Sequence, residues 1–382
     1  MVTRVLVGST KGAFILSREA PDGAWTVSGP HCNGWPINHV VGDPETGRMW
    51  AGGGGEFHGA GIFRSEDEGQ TWALSKLSNG KFDEFIAQNP AVAAQMGFTA
   101  SPPAPYTGQI DAVWSLGRSG DRLFAGVKPA TLLESVDGGA TWTPVEGLAS
   151  HPSRAEWQPG GAGLVLHSIV SDPGDPTKLW VGISAAGVFA TEDGGKTWER
   201  RNRLSNAETI APEPGHDHGA DAVGFCVHNI VRAAGAGDVM YQQNHHGVFR
   251  TSDGGRSWTS IAAGLPSTFG FPVAVHPHDA ETAWVLPLNG DILGRFPPGA
   301  SAKVWRTRDG GATWTGHGDG LPQRDCFFTV LRQGMATDRA SPTGVYFGTN
   351  SGSVFYSPDE GERWQEIASH LPTVLSVEVM DG

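Results

Sequence analysis

Thr191-Glu192-Asp193-Gly194-Gly195-Lys196-Thr197-Trp198 is one of six copies of an octapeptide, Ser/Thr-x-Asp-x-Gly-x-x-Trp. The others occupy 65–72, 135–142, 251–258, 307–314 and 357–364. Their aspartates, Asp67, Asp137, Asp193, Asp253, Asp309 and Asp359, stand 70, 56, 60, 56 and 50 residues apart. That period suits one supersecondary unit per copy. A carboxylate at the third position accepts backbone N–H groups of its own tight turn, the glycine permits positive φ, and the indole fills the space between neighbouring sheets. The six aspartates are therefore read as structural, each tied up in its own turn.

Outward from each copy the pattern is β. A short apolar strand and a glycine-led second strand precede the octapeptide, as in Leu179-Trp180-Val181-Gly182 followed by Gly187-Val188-Phe189-Ala190. Another β-rich run lies upstream, such as Ser168-Ile169-Val170 or Asn229-Ile230-Val231, and the octapeptide Trp leads into a fourth strand. Each repeat thus supplies four strands.

These six copies resemble the Asp-box, or bacterial-neuraminidase-repeat, β-propellers, a sialidase-like group that includes sialidases, xyloglucanases, sortilin-like receptors and a photosystem assembly factor. The resemblance spans nearly the whole chain and implies an all-β propeller. A seventh unit without the octapeptide is written in Val5-Leu6-Val7-Gly8, Gly12-Ala13-Phe14-Ile15 and Trp25-Thr26-Val27. It lacks a first strand, and Val374-Leu375-Ser376-Val377-Glu378-Val379 has no successor. Pairing the two closes the ring, which gives seven four-stranded blades in a single domain over 1–382.

Composition agrees. Of 382 residues, 55 are Gly and 26 Pro, which excludes long helical bundles, while 14 Trp and 17 Phe with only 18% charged residues exclude a disordered chain. The balance of 27 basic and 40 acidic side chains, −13, leaves no cluster of Lys or Arg for nucleic acid or an anionic membrane. Cys32, Cys226 and Cys326 are odd in number and far apart, so reduced thiols are expected. Neither a secretory leader nor 18 consecutive apolar residues is found, and the expected location is cytoplasmic.

In such a ring, the loops leading into the innermost strands share one face with the loops joining second and third strands. Insertions 75–109, 149–163, 200–223 and 289–303 all fall there, and a short helix is expected around Phe82, Phe85 and Ile86. His39, His167 and His228 start inner strands of blades two, four and five within one residue of equivalent register, while His58 and the pair His245-His246 occupy second-to-third-strand loops. Neutral imidazoles converging there suit a divalent transition metal, zinc, manganese or nickel. His167, His228 and His245 are the expected ligands, with His58, His39 and Gln243 in reserve. Asp111 is a candidate base, with His39 beside it, and Trp35, Trp157 and Glu156 are candidates for holding a ring of substrate. Cys226, two residues before His228, shares its face of the strand, so a Cys-His ligand pair is conceivable, with an inert buried thiol the preferred reading.

Three functions follow as expectations. The first is a metal-assisted hydrolase or lyase acting on a small polar, sugar-like or carboxylate-bearing substrate. The second is a non-catalytic protein- or glycan-binding module of the Asp-box kind. The third is a glycoside hydrolase, for which Asp111, Glu156, Asp217 and Asp221 are the available carboxylates. Sialidase activity is not expected. The Phe/Tyr-Arg-Ile-Pro motif of sialidases is missing, its nearest string being Arg295-Phe296-Pro297 within an insertion, and three of the four tyrosines lie in or beside strands.

Overall fold

The computed structural model describes residues 2–20, 23–100, 102–205, 226–235 and 237–381. Among them the strands form seven four-stranded antiparallel sheets, the blades of a β-propeller. The ring closes as the sequence pattern predicts. Val374–Asp381 is the innermost strand of blade one and pairs antiparallel with Thr3–Ser9, matching Val5 to Val379 and Val7 to Val377. Blades two to seven follow in chain order, each running from its inner to its outer strand.

The hydrophobic core lies between blades. Trp50, Ile62 and Ala60 of blade two pack with Val113, Leu116 and Trp142 of blade three, and Trp180 and Val188 of blade four pack with Ile230, Phe249 and Trp258 of blade five. Each blade therefore buries both faces against its neighbours.

The octapeptide turns follow the chemistry of their residues. Asp67 accepts the Ser65 hydroxyl at 2.8 Å, the Thr71 N–H at 2.8 Å and the Thr71 hydroxyl at 2.6 Å, and the Ser65 oxygen accepts the Gly69 N–H at 2.8 Å. Asp137, Asp193, Asp253 and Asp309 repeat the pattern, and Asp359 does so with the Arg363 Nε–H in place of the hydroxyl. Hydrogen bonds from Thr71 hold the Asp67 carboxyl down at about 2. The indoles of Trp72, Trp142, Trp198 and Trp364 donate to the turn's own glycine carbonyl, whereas Trp258 and Trp314 donate to Arg201 and Ile261 of the preceding blade.

On the opposite face the first insertion forms two short helices, Lys81–Gln88 and Pro90–Gln95, the first of them where a helix is expected. The Asp83 carboxylate accepts the Gly80 N–H at 2.8 Å and so caps it. The third insertion, with Asp217 and Asp221, lies largely outside the described residues. No helix among the described residues is long and apolar enough to cross a membrane.

Candidate functional site

Six of the seven inner strands share one irregularity. In blade four Leu166 pairs with Ile183 and Ser168 with Gly182, leaving His167 as an extra residue. The same bulge leaves out Asn38 in blade two, Trp114 in blade three, His228 in blade five, Phe271 with Pro272 in blade six, and Leu375 in blade one. A bulge re-aims a side chain that regular alternation would fix. The insertion-bearing face is therefore furnished largely by bulged residues.

His39 sits one residue past its bulge, so it is not equivalent to His167 and His228. Its Nδ1 accepts the Leu116 N–H at 3.0 Å, and its Nε2 donates to Glu378 at 3.1 Å. With both nitrogens engaged, it serves as a strand-to-strand tie rather than a base or ligand.

Blade five gathers the sharpest cluster. Its inner strand Val227–Arg232 and second strand Met240–Asn244 are extended by one bond, from the His245 N–H to the Cys226 carbonyl at 3.0 Å. Cross-strand pairing thus sets Cys226 beside His245, and the bulge places His228 with them. The ligand atoms of Cys226, His228 and His245 all lie within 4.8 Å of one another. His228 Nδ1 is 2.6 Å from the Gly270 carbonyl oxygen. Because a carbonyl only accepts, Nδ1 carries the proton and Nε2 keeps its lone pair. The rings of Phe269 and Phe271 wall the cluster at 5.6 and 4.7 Å from His228. Burial, then the Arg332 charge, pushes the His228 and His167 pKa values well below the usual imidazole value, so both rings are neutral.

The floor of this region is Arg332-Gln333, which leads into blade seven's inner strand. Asn229 donates to the Arg332 carbonyl at 2.9 Å, the Gln333 amide donates to the His167 carbonyl, and the Val377 N–H donates to the Gln333 carbonyl at 2.7 Å. One segment thereby ties blades one, four, five and seven across the channel. Beneath it the channel holds a cavity of about 350 Å³ lined by His39, His167, Asn229, Gln333 and Glu378.

A second candidate site lies between blades two and three. Asn38, Glu56, Lys81, Glu84, Asp111, Trp114 and Lys128 line a cleft of about 600 Å³. Glu56 is paired with Lys81. The Asp111 and Glu84 carboxylates are exposed and accept no hydrogen bond among the described residues, while the Trp114 indole is half-buried.

Several expected roles need correcting. The Gln243 amide N–H groups donate to the carbonyls of Asn244, Gly247 and Thr268 at 2.8 to 3.1 Å, so Gln243 fastens a turn. His58 stacks on Trp35 at 5.0 Å within blade two instead of joining the blade-five cluster. Trp35 is itself buried, edge-on to Phe63, and Trp157 is buried with its indole N–H on Ser153 at 3.0 Å. Neither indole is exposed, whereas Trp114 is half-buried and lines the cleft between blades two and three. Glu156 pairs with Arg200 at 3.3 Å. His167 borders His228 but lies outside the 4.8 Å group of donors. The sequence points to Cys226 only weakly and to Arg332 not at all. Cys226 was legible only as an i, i+2 neighbour of His228, and Arg332 lies in a long lead-in to blade seven that carries no strand pattern of its own.

No family model matches the chain. It is 25% identical over 257 residues to a xyloglucanase of Paenibacillus sp, covering 62% of this chain and 23% of that protein. It is 22% identical over 377 residues to a xyloglucanase of Hypocrea jecorina, covering 85% and 41%. The chain thus spans less than half the length of either. Among solved structures, the GH74 xyloglucanase of Xanthomonas campestris superposes with a TM-score of 0.62 at 16% identity, over 96% of this chain and 52% of that one. The molecule is a seven-bladed β-propeller with sequence similarity to xyloglucanases.

Proposed function

We propose that the protein is a glycoside hydrolase acting on xyloglucan or a related neutral glycan in the cleft between blades two and three. The observation that carries this reading is the chemistry of the cleft: Asp111 and Glu84, two carboxylates free of hydrogen bonds among the described residues, share it with the accessible indole of Trp114. Glycosidic bonds are broken by a carboxylic acid that protonates the leaving oxygen and a carboxylate that acts as base or nucleophile, and an indole face binds sugar C–H groups. Similarity to xyloglucanases supports the choice of substrate. The net charge of −13 favours a neutral glycan over a polyanionic one.

Release of reducing ends from soluble xyloglucan tests this. Wild-type protein is expected to release them, and Asp111→Asn and Glu84→Gln to slow release by roughly 10²-fold or more, the usual scale of an acid or base contribution. No release from xyloglucan and related β-glucans, or wild-type rates in both variants, contradicts the proposal. The second reading, metal-assisted hydrolysis or elimination on a small polar substrate, draws support from a different observation, the donor cluster of blade five.

A further inference from the structure

Cys226, His228 and His245 come from a single hairpin, so their convergence rests on one strand pair and not on the whole ring. Three features mark the cluster as a built site. His228 donates through Nδ1 to the Gly270 carbonyl at 2.6 Å, the outer-shell arrangement that fixes the tautomer of a metal-binding imidazole and leaves Nε2 as donor atom. The Cys226 Sγ has a weak contact with the Ser184 hydroxyl at 3.6 Å. Next to them, the Arg332 guanidinium has its Nε enclosed with no acceptor among the described residues. It lies 5.1 Å from the Phe271 ring, with Arg295 as a like-charged neighbour and no carboxylate paired with it among the described residues. A cation so placed lacks a paired counter-charge among the described residues.

We propose that Cys226, His228 and His245 bind a zinc ion through one thiolate and two imidazoles, and that Arg332 beside them draws an anionic group, such as a carboxylate, to the fourth position. Zinc bonds of about 2.0 Å to nitrogen and 2.3 Å to sulfur in a tetrahedron put donor atoms about 3.4 Å apart. The donors already lie within 4.8 Å of one another, close to that spacing. The sulfur donor selects zinc over manganese, magnesium or calcium, and three protein ligands leave one position for water or substrate. Zinc there would polarise a bound carboxylate or carbonyl or lower the pKa of water. This site is separate from the carboxylate cleft and independent of glycan hydrolysis.

The test uses full-length protein purified under reducing conditions without chelator. Elemental analysis is expected to find one zinc per chain. Cobalt exchanged for it is expected to give a thiolate-to-cobalt charge-transfer band, which Cys226→Ser abolishes while Cys32→Ser and Cys326→Ser retain it. His245→Gln is expected to weaken zinc binding at least tenfold, on the scale seen when a metal site loses a supporting contact. Alkylation of Cys226 gives a second readout that needs no variant: zinc is expected to protect the thiol. Absence of zinc after dialysis against micromolar zinc, a charge-transfer band that survives Cys226→Ser, or alkylation of Cys226 that zinc leaves unchanged overturns the proposal. None of these readouts involves a glycan, so they stand whether or not the cleft hydrolyses one.

Discussion

Gly139 shows how single residues hold the scaffold. Its φ of +93° is strained for any residue with a side chain, and an added Cβ would sit 3.1 Å from the Trp50 indole of the neighbouring blade. Gly139→Ala is expected to destabilise the protein by about 1–2 kcal/mol from backbone strain alone, read by equilibrium unfolding in urea. A change below about 0.5 kcal/mol, the range of neutral surface substitutions, contradicts this reading of the turn. The octapeptide was legible because its six copies state the same local chemistry each time. The histidines were only half legible. Counting residues put His39, His167 and His228 within one position of each other, but in a strand one position turns a side chain to the other face, and the bulges at His167 and His228 leave no mark in sequence. For Cys226 the obstacle was different. A lone thiol reads as a small hydrophobe until a turn residue nineteen positions on is seen paired with it.

Elements carry the closure of the ring. Val374–Asp381 contributes an innermost strand to blade one and buries Val374, Val377 and Met380 against blades one, two and seven. Burial of three such side chains stabilises the closed ring by roughly 5 kcal/mol or more. The full chain is expected to unfold in one cooperative thermal transition, followed by calorimetry, and a chain ending at Thr373 to lose it. Retention of that transition within a few degrees contradicts a closing role. This element was legible by arithmetic, since one unit lacked a strand and one strand lacked a unit. The helix Lys81–Gln88 was legible from its spacing of apolar residues, with Ile86 buried. Its contribution of Glu84 to a cleft beside Asp111 was not, because the pairing depends on how the insertion folds back over blades two and three.

At the scale of the molecule, the two faces divide the labour. One carries uniform turns whose carboxylates are consumed by their own backbone, and the other carries the bulged side chains, the cleft and the cysteine-histidine cluster. The ring itself does not dictate chemistry, since propellers serve many functions. On the varied face the exposed Asp111 and Glu84 carboxylates accept no hydrogen bond among the described residues, which is why the proposed hydrolysis is placed on them. The most direct measurement is a crystal structure of the Asp111→Asn protein with a xyloglucan oligosaccharide. A sugar ring is expected against Trp114, with a glycosidic oxygen about 3 Å from residue 111 or Glu84, the reach of proton transfer. A saccharide bound on the face of the octapeptide turns, or a cleft left empty at saturating saccharide, contradicts that expectation.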